Sequence, residues 1–107
     1  MPLVGLVLGS RTDEPLIQGT LEVLEQMKID HEMVVMSAHR TPEKVMEYAQ
    51  SARSRGIEVI IGAAGGSAGL PGVLASWTTL PIIGVPLPTS DLKGIDALHS
   101  IVQMPPG

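Results

Sequence analysis

Four short apolar runs, each followed by a small or polar turn and then a stretch with helical spacing, leave this chain few possible folds. The first, Leu3-Val4-Gly5-Leu6-Val7-Leu8, is continuous rather than alternating. That is expected of a strand buried on both faces of a parallel sheet. The second covers His31 to Met36, the third Ile57 to Ile61, and the fourth Pro81 to Pro86, with prolines at its ends where they cost least. Leu16, Ile17, Thr20, Leu21, Val23, Leu24 and Met27 recur at helical spacing, as do Val45, Met46, Tyr48, Ala49 and Ala52. Gly56 is expected to cap the second helix, which runs from Pro42 to about Arg55. Shorter helices are expected over Val73 to Trp77 and Asp91 to Met104. Four βα units predict an α/β fold, a three-layer αβα sandwich around a parallel sheet with right-handed crossovers. The 107 residues suffice for one domain, 1–107.

Composition narrows the function. There is no Phe, one Tyr and one Trp among 44% hydrophobic residues, so the core must be aliphatic. A net charge of -4 argues against nucleic-acid or anionic-membrane partners, which call for a basic surface. The absence of Cys excludes disulfides, thiolate metal sites and a cysteine nucleophile. No apolar run reaches the roughly 18 residues of a membrane span, and Leu3 to Leu8 is too short for a signal sequence. A cytoplasmic protein is the expectation. His31, His39 and His99 lie far apart without clustered carboxylates, so no metal site is expected.

Three turns carry the chemistry. Ser37-Ala38-His39-Arg40-Thr41-Pro42 joins the second strand to the second helix, with Pro42 suited to a first helical turn and Thr41 to its N-cap. It holds a hydroxyl, an imidazole and a guanidinium where α/β proteins bind ligands. An Arg at a helix start suits phosphate, and an imidazole suits proton transfer near neutral pH. A solvated surface turn is the plainer alternative. In Gly9-Ser10-Arg11-Thr12-Asp13-Glu14-Pro15, Ser10 and Thr12 could donate hydroxyls and Asp13 could accept from a sugar, or Thr12 or Asp13 could simply cap the helix. From Gly62 to Gly72 no side chain exceeds Ser except Leu70 and Pro71. This backbone is open to a ligand lying flat against it, a reading preferred to a flexible linker because it sits between a strand and an apolar helix.

These turns resemble those of the AIR carboxylase family of purine biosynthesis. The resemblance rests on Gly9-Ser10-Arg11-Thr12-Asp13, Ser37 to Pro42, Gly65-Gly66-Ser67-Ala68-Gly69-Leu70-Pro71-Gly72 and Ser100-Ile101-Val102-Gln103-Met104-Pro105, in this order along the chain. The Ser-Ala-His-Arg-Thr-Pro form is similar to the family's mutase class. The resemblance implies a flavodoxin-like sheet, here without the family's last strand and long C-terminal helix. It implies a ribonucleotide substrate, no cofactor or metal, and a homo-oligomer, octameric in the family. It makes Ser10 and Asp13 substrate contacts, assigns the phosphate to Ser37 and Arg40, and makes His39 the proton-transfer residue. Gly65, Gly66, Ser67 and Ala68 would pack near the imidazole ring and the migrating carboxylate. The chain departs from the family at Gly69, where a second histidine is usual, and at Pro106, often basic.

The reaction so implied moves a carboxylate from an exocyclic nitrogen to a ring carbon of one nucleotide, through CO2. One proton is added and one removed, work that a single imidazole can do. CO2 is itself electrophilic, so the chemistry does not call for a metal. A carboxylase using free CO2 and a non-catalytic nucleotide-binding subunit are the alternatives.

Overall fold

β1 (Leu3–Leu8) lies inside a four-stranded sheet, with β2 (Asp30–Val35) on one side and β3 (Ile57–Gly65) on the other. β4 (Ile82–Leu87) pairs with β3, giving the order β2-β1-β3-β4 with every pairing parallel. This is the flavodoxin-like arrangement. The structure is a computed structural model and describes residues 3–106.

Alternation along β1 distributes its side chains between two cores. Val4, Leu6 and Leu8 pack with Ile17, Leu21 and Leu24, the face covered by α1 (Gln18–Gln26). Val7 points to the other face, against α2 (Pro42–Ala52), α3 (Leu70–Ser76) and α4 (Ile95–Val102). Helices therefore lie on both sides of the sheet, in three layers.

The elements depart from expectation where backbone chemistry intervenes. The segment before α1 is a 3-10 helix over Arg11–Ile17, opened by the Ser10 side chain rather than by Thr12 or Asp13. α4 starts at Ile95, not Asp91, because Lys93 and Gly94 adopt left-handed backbone (φ 55° and 92°) that interrupts any helix. Gly56 does end the second helical segment, at φ 92°.

The main difference is β3, expected to stop at Ile61. It continues through Gly62-Ala63-Ala64-Gly65, and Gly62, Ala63 and Ala64 are buried. Smallness here serves packing. A Cβ on Gly62 would lie 3.2 Å from Leu74 Cδ1 and 3.3 Å from Pro71 Cα, so its absence lets α3 press directly on the strand.

Candidate active-site cleft

Where β1 ends, the connections part: one leads to β2, while β3 and β4 lie on the opposite side. Ligands of open α/β sheets bind at such a point, beyond the carboxyl ends of the strands. A cleft of about 270 Å³ opens there.

The turn after β2 is held by its own serine. Ser37 Oγ accepts from the backbone N–H of His39 (3.2 Å) and of Arg40 (3.1 Å), which leaves its own O–H free to donate. Thr41 is the N-cap residue of α2 as expected, but its hydroxyl does not reach the first helical amides. Its hydroxyl accepts from the Ser37 N–H at 3.0 Å and donates to the Ser37 carbonyl at 3.1 Å, cross-linking the turn's two ends. Pro42, in the first helical turn, leaves one fewer amide to satisfy.

His39 and Arg40 reach from this turn to the other two. His39 Nε2 lies 3.0 Å from the Ser67 carbonyl. A carbonyl only accepts, so Nε2 carries the hydrogen, and Nδ1 is the nitrogen left to take a proton. The same carbonyl accepts the Gly69 N–H at 2.8 Å, which fixes its direction. Arg40 Nη2 donates to the Gly9 carbonyl at 3.3 Å. Ser10 Oγ lies 2.9 Å from Thr12 Oγ1 and accepts from the Thr12 N–H at 3.4 Å.

Asp13 is the buried polar residue of this region, with 6% of its surface exposed. Burial pushes its carboxyl above the usual 3.8, against the opposing pull of the Arg40 guanidinium. It lines the cleft, so a ligand can reach it.

Of the residues singled out from sequence, Ser10, Asp13, Ser37, His39, Arg40, Gly65 and Ser67 line the cleft. Gly66 and Ala68 do not: Gly66 turns the chain at φ 58°, and Ala68 is packed into the core at 1% exposure. Gly69 faces the imidazole, its missing Cβ 3.8 Å from His39 Cε1. A fourth loop also contributes, because Thr89, just past β4, lines the cleft. Its position after a strand's carboxyl end was the available signal, since that rule applies to every parallel strand. His31 and His99 lie outside the cleft, and His31 Nδ1 is 2.9 Å from the Ile29 carbonyl. Among the described residues no group of three or more His, Asp or Glu is placed to hold a metal. No helix among them is long and apolar enough to cross a membrane.

Fold and cleft together define a flavodoxin-like α/β protein with a polar cleft at the sheet's switch point. The chain belongs to the AIR carboxylase family, whose model matches residues 3–107. It is 59% identical over 106 residues to an N5-carboxyaminoimidazole ribonucleotide mutase of Aquifex aeolicus, covering 99% of this chain and 64% of that protein. It is 52% identical over 106 residues to a phosphoribosylaminoimidazole carboxylase of Candida glabrata, of which that match covers 19%. The crystal structure of Treponema denticola PurE superposes with a TM-score of 0.89 at 27% identity, over 100% of this chain and 68% of that one. The chain thus spans less than two thirds of the Aquifex relative's length.

Proposed function

We propose that the protein to which this chain belongs is an isomerase of purine biosynthesis, converting N5-carboxyaminoimidazole ribonucleotide to 4-carboxy-5-aminoimidazole ribonucleotide. The observation that carries this reading is the His39 imidazole, held by the Ser67 carbonyl in the same cleft as Arg40 and Asp13. The mutase name of the Aquifex relative supports the reaction class.

In this reading Arg40 and the free Ser37 O–H hold the phosphate, while Ser10 and Asp13 meet the sugar. His39 gives a proton to the carbamate nitrogen as its bond to the carboxyl carbon breaks, releasing CO2 beside the ring. The electron-rich ring carbon then attacks CO2, and His39 recovers the proton which that carbon loses. Nothing is consumed: one N–C bond is exchanged for one C–C bond. Nδ1 suits the transfer, because the Ser67 carbonyl keeps the other nitrogen protonated. Gly65 and Ser67 line the same cleft and would pack against the substrate's ring and its migrating carboxylate.

The remaining expectations stand as parts of the same reading: a single domain, a cytoplasmic location and a homo-oligomer. Assembly is supported by the apolar side chains exposed along and beside α4, namely Leu92, Ile95, Leu98, Val102 and Met104.

The test is conversion of N5-carboxyaminoimidazole ribonucleotide by the intact protein, with and without added bicarbonate. Turnover independent of bicarbonate is expected. Turnover only from aminoimidazole ribonucleotide plus bicarbonate would make it a carboxylase instead, and tight binding without turnover would leave a nucleotide-binding subunit.

A further inference from the structure

The loop that brings Thr89 to the cleft, between β4 and α4, is closed on itself by side chains that the proposed chemistry does not use. Thr89 follows β4 by two residues, its N–H donating to the Leu87 carbonyl at 3.0 Å. Ser90 Oγ then donates to Asp96 Oδ2 at 2.6 Å, a length expected where a hydroxyl meets a carboxylate. The same hydroxyl oxygen accepts the Leu92 N–H at 3.2 Å, and the Ser90 carbonyl accepts the Lys93 N–H at 3.0 Å. Left-handed backbone at Lys93 and Gly94 turns the chain back, so that a Cβ on Gly94 would lie 3.4 Å from Pro88 Cα. Asp96 is in the first turn of α4, where the helix dipole favours a carboxylate. The Ser90 hydrogen bond holds its carboxyl below the usual 3.8, so at neutral pH it is an ionised acceptor anchored to a helix.

We propose that Asp96 and Ser90 are positioning residues of the cleft: their hydrogen bond clips the β4–α4 loop and keeps the Thr89 side chain seated on Gly65, in the wall that meets the base of the ligand. This rests on the ribonucleotide reading above. The strand order β2-β1-β3-β4 puts the loop after β4 three strand spacings, about 14 Å, from the turn that carries Ser37 and Arg40. Thr89 therefore borders the end of the cleft remote from the phosphate contacts. Thr89 and Ser90 are both exposed, so little burial holds this part of the loop in place. Beyond the strand itself, Thr89 is tied to the rest of the fold by its close approach to Gly65 and, one residue on, by the bond to Asp96. While the clip holds, its neighbour can shift only slightly. With the clip broken, Thr89 samples positions off Gly65, and the fraction of molecules with a complete wall sets the apparent affinity.

The test has two readouts, taken on the intact protein and on Ser90→Ala, Asp96→Ala, the double variant and Ser90→Thr, which keeps a hydroxyl. The first is the nuclear Overhauser effect between the Thr89 methyl group and the Gly65 α-hydrogens, groups that the structure places in contact. It should weaken in the first three variants and persist in Ser90→Thr. Full persistence in Ser90→Ala overturns the clip. The second is calorimetry with 4-carboxy-5-aminoimidazole ribonucleotide and with ribose 5-phosphate, which lacks the base. Ribonucleotide affinity should fall by about three- to ten-fold in either single Ala variant, fall no further in the double variant, and stay near the original in Ser90→Thr. Ribose 5-phosphate affinity should not change. Unchanged ribonucleotide affinity, or equal losses for both ligands, overturns the positioning role, because a general loosening of the fold would spare neither ligand. Should the unsubstituted protein bind no ribonucleotide, the function above is at fault, and the Overhauser contact alone then upholds or refutes the clip.

Discussion

Gly65 and Thr89 are packed so closely that neither position is independent of the other. A Cβ built on Gly65 would overlap the Thr89 hydroxyl and stand 2.9 Å from its Cβ and 3.1 Å from its Cγ2. Real side chains do not approach so closely, so Gly65→Ala must displace the β4–α4 loop from the cleft wall. The expected cost is about 1–3 kcal/mol of stability, as for other overpacked sites. Urea unfolding measures it, and Thr89→Gly in the same chain should recover most of the loss. A Gly65→Ala protein as stable as the original would show that the loop yields freely.

His39 is the residue on which the proposed chemistry depends. His39→Asn keeps polarity and approximate size but cannot exchange protons near neutral pH. In the intact protein, turnover should fall by about 10²–10⁴, with nucleotide affinity little changed. Steady-state carboxylate transfer and direct binding, measured side by side, decide it. Near-normal turnover would remove His39 from the mechanism, and no other histidine lines the cleft.

Asp13 should trade stability for binding. Burial raises its folded-state pKa above 3.8 despite Arg40, so the fold favours the protonated form. That contribution is fully present below pH 3.8 and is lost as pH rises through the folded value. At neutral pH the ionised carboxylate therefore costs stability. Asp13→Asn is expected to raise Tm at pH 7, by an amount that shrinks toward pH 3.8 and vanishes below it, while weakening ribonucleotide binding. A lower Tm at pH 7 would contradict this.

Tyr48 presents a different buried polar group. Its hydroxyl lies against Gly5 with no hydrogen-bond partner, while the Arg55 guanidinium sits over the ring, 5.0 Å from its centre. Burial, reinforced by the charge of Glu32, pushes the phenol up to about 12 from its ordinary 10.0. The raised value means that stability present below pH 10 is lost as pH climbs through about 12. Tyr48→Phe keeps the packing and the Arg55 contact and removes the unpaired oxygen. It should match or exceed the original stability at pH 7, by up to about 1 kcal/mol, and lose less between pH 10 and 12. Thermal unfolding at pH 7 and pH 11 tests both parts.

Assembly can be read directly. With Leu92, Ile95, Leu98, Val102 and Met104 exposed around one helix, light scattering at micromolar concentration should give a mass several times that of the chain. A monomer would refute the homo-oligomer.

Local pattern alone was enough for the parallel α/β sheet, because continuous apolar runs such as Leu3 to Leu8 and helical spacing such as Val45 to Ala52 are written in neighbouring residues. Pro42 and Gly56 marked their helix ends for the same reason: each restricts or frees its own backbone. Ser37, His39 and Arg40 could be picked out because a single turn carries them at a strand's end. The interior had to be folded before Gly62 could be read as a packing position, since smallness serves a ligand and a neighbouring helix equally, and at Gly62 the approach of Leu74 and Pro71 decides. Tertiary structure likewise decided that Ala68 belongs to the core, that Thr41 bonds back to Ser37, and that Thr89 closes the cleft over Gly65. It also brought the Ser67 carbonyl to His39 across 28 positions of sequence, and so determined which imidazole nitrogen keeps its hydrogen. Contacts between distant segments leave no periodicity in the sequence: they depend on strand order and on how closely layers pack, and both exist only once the chain has folded.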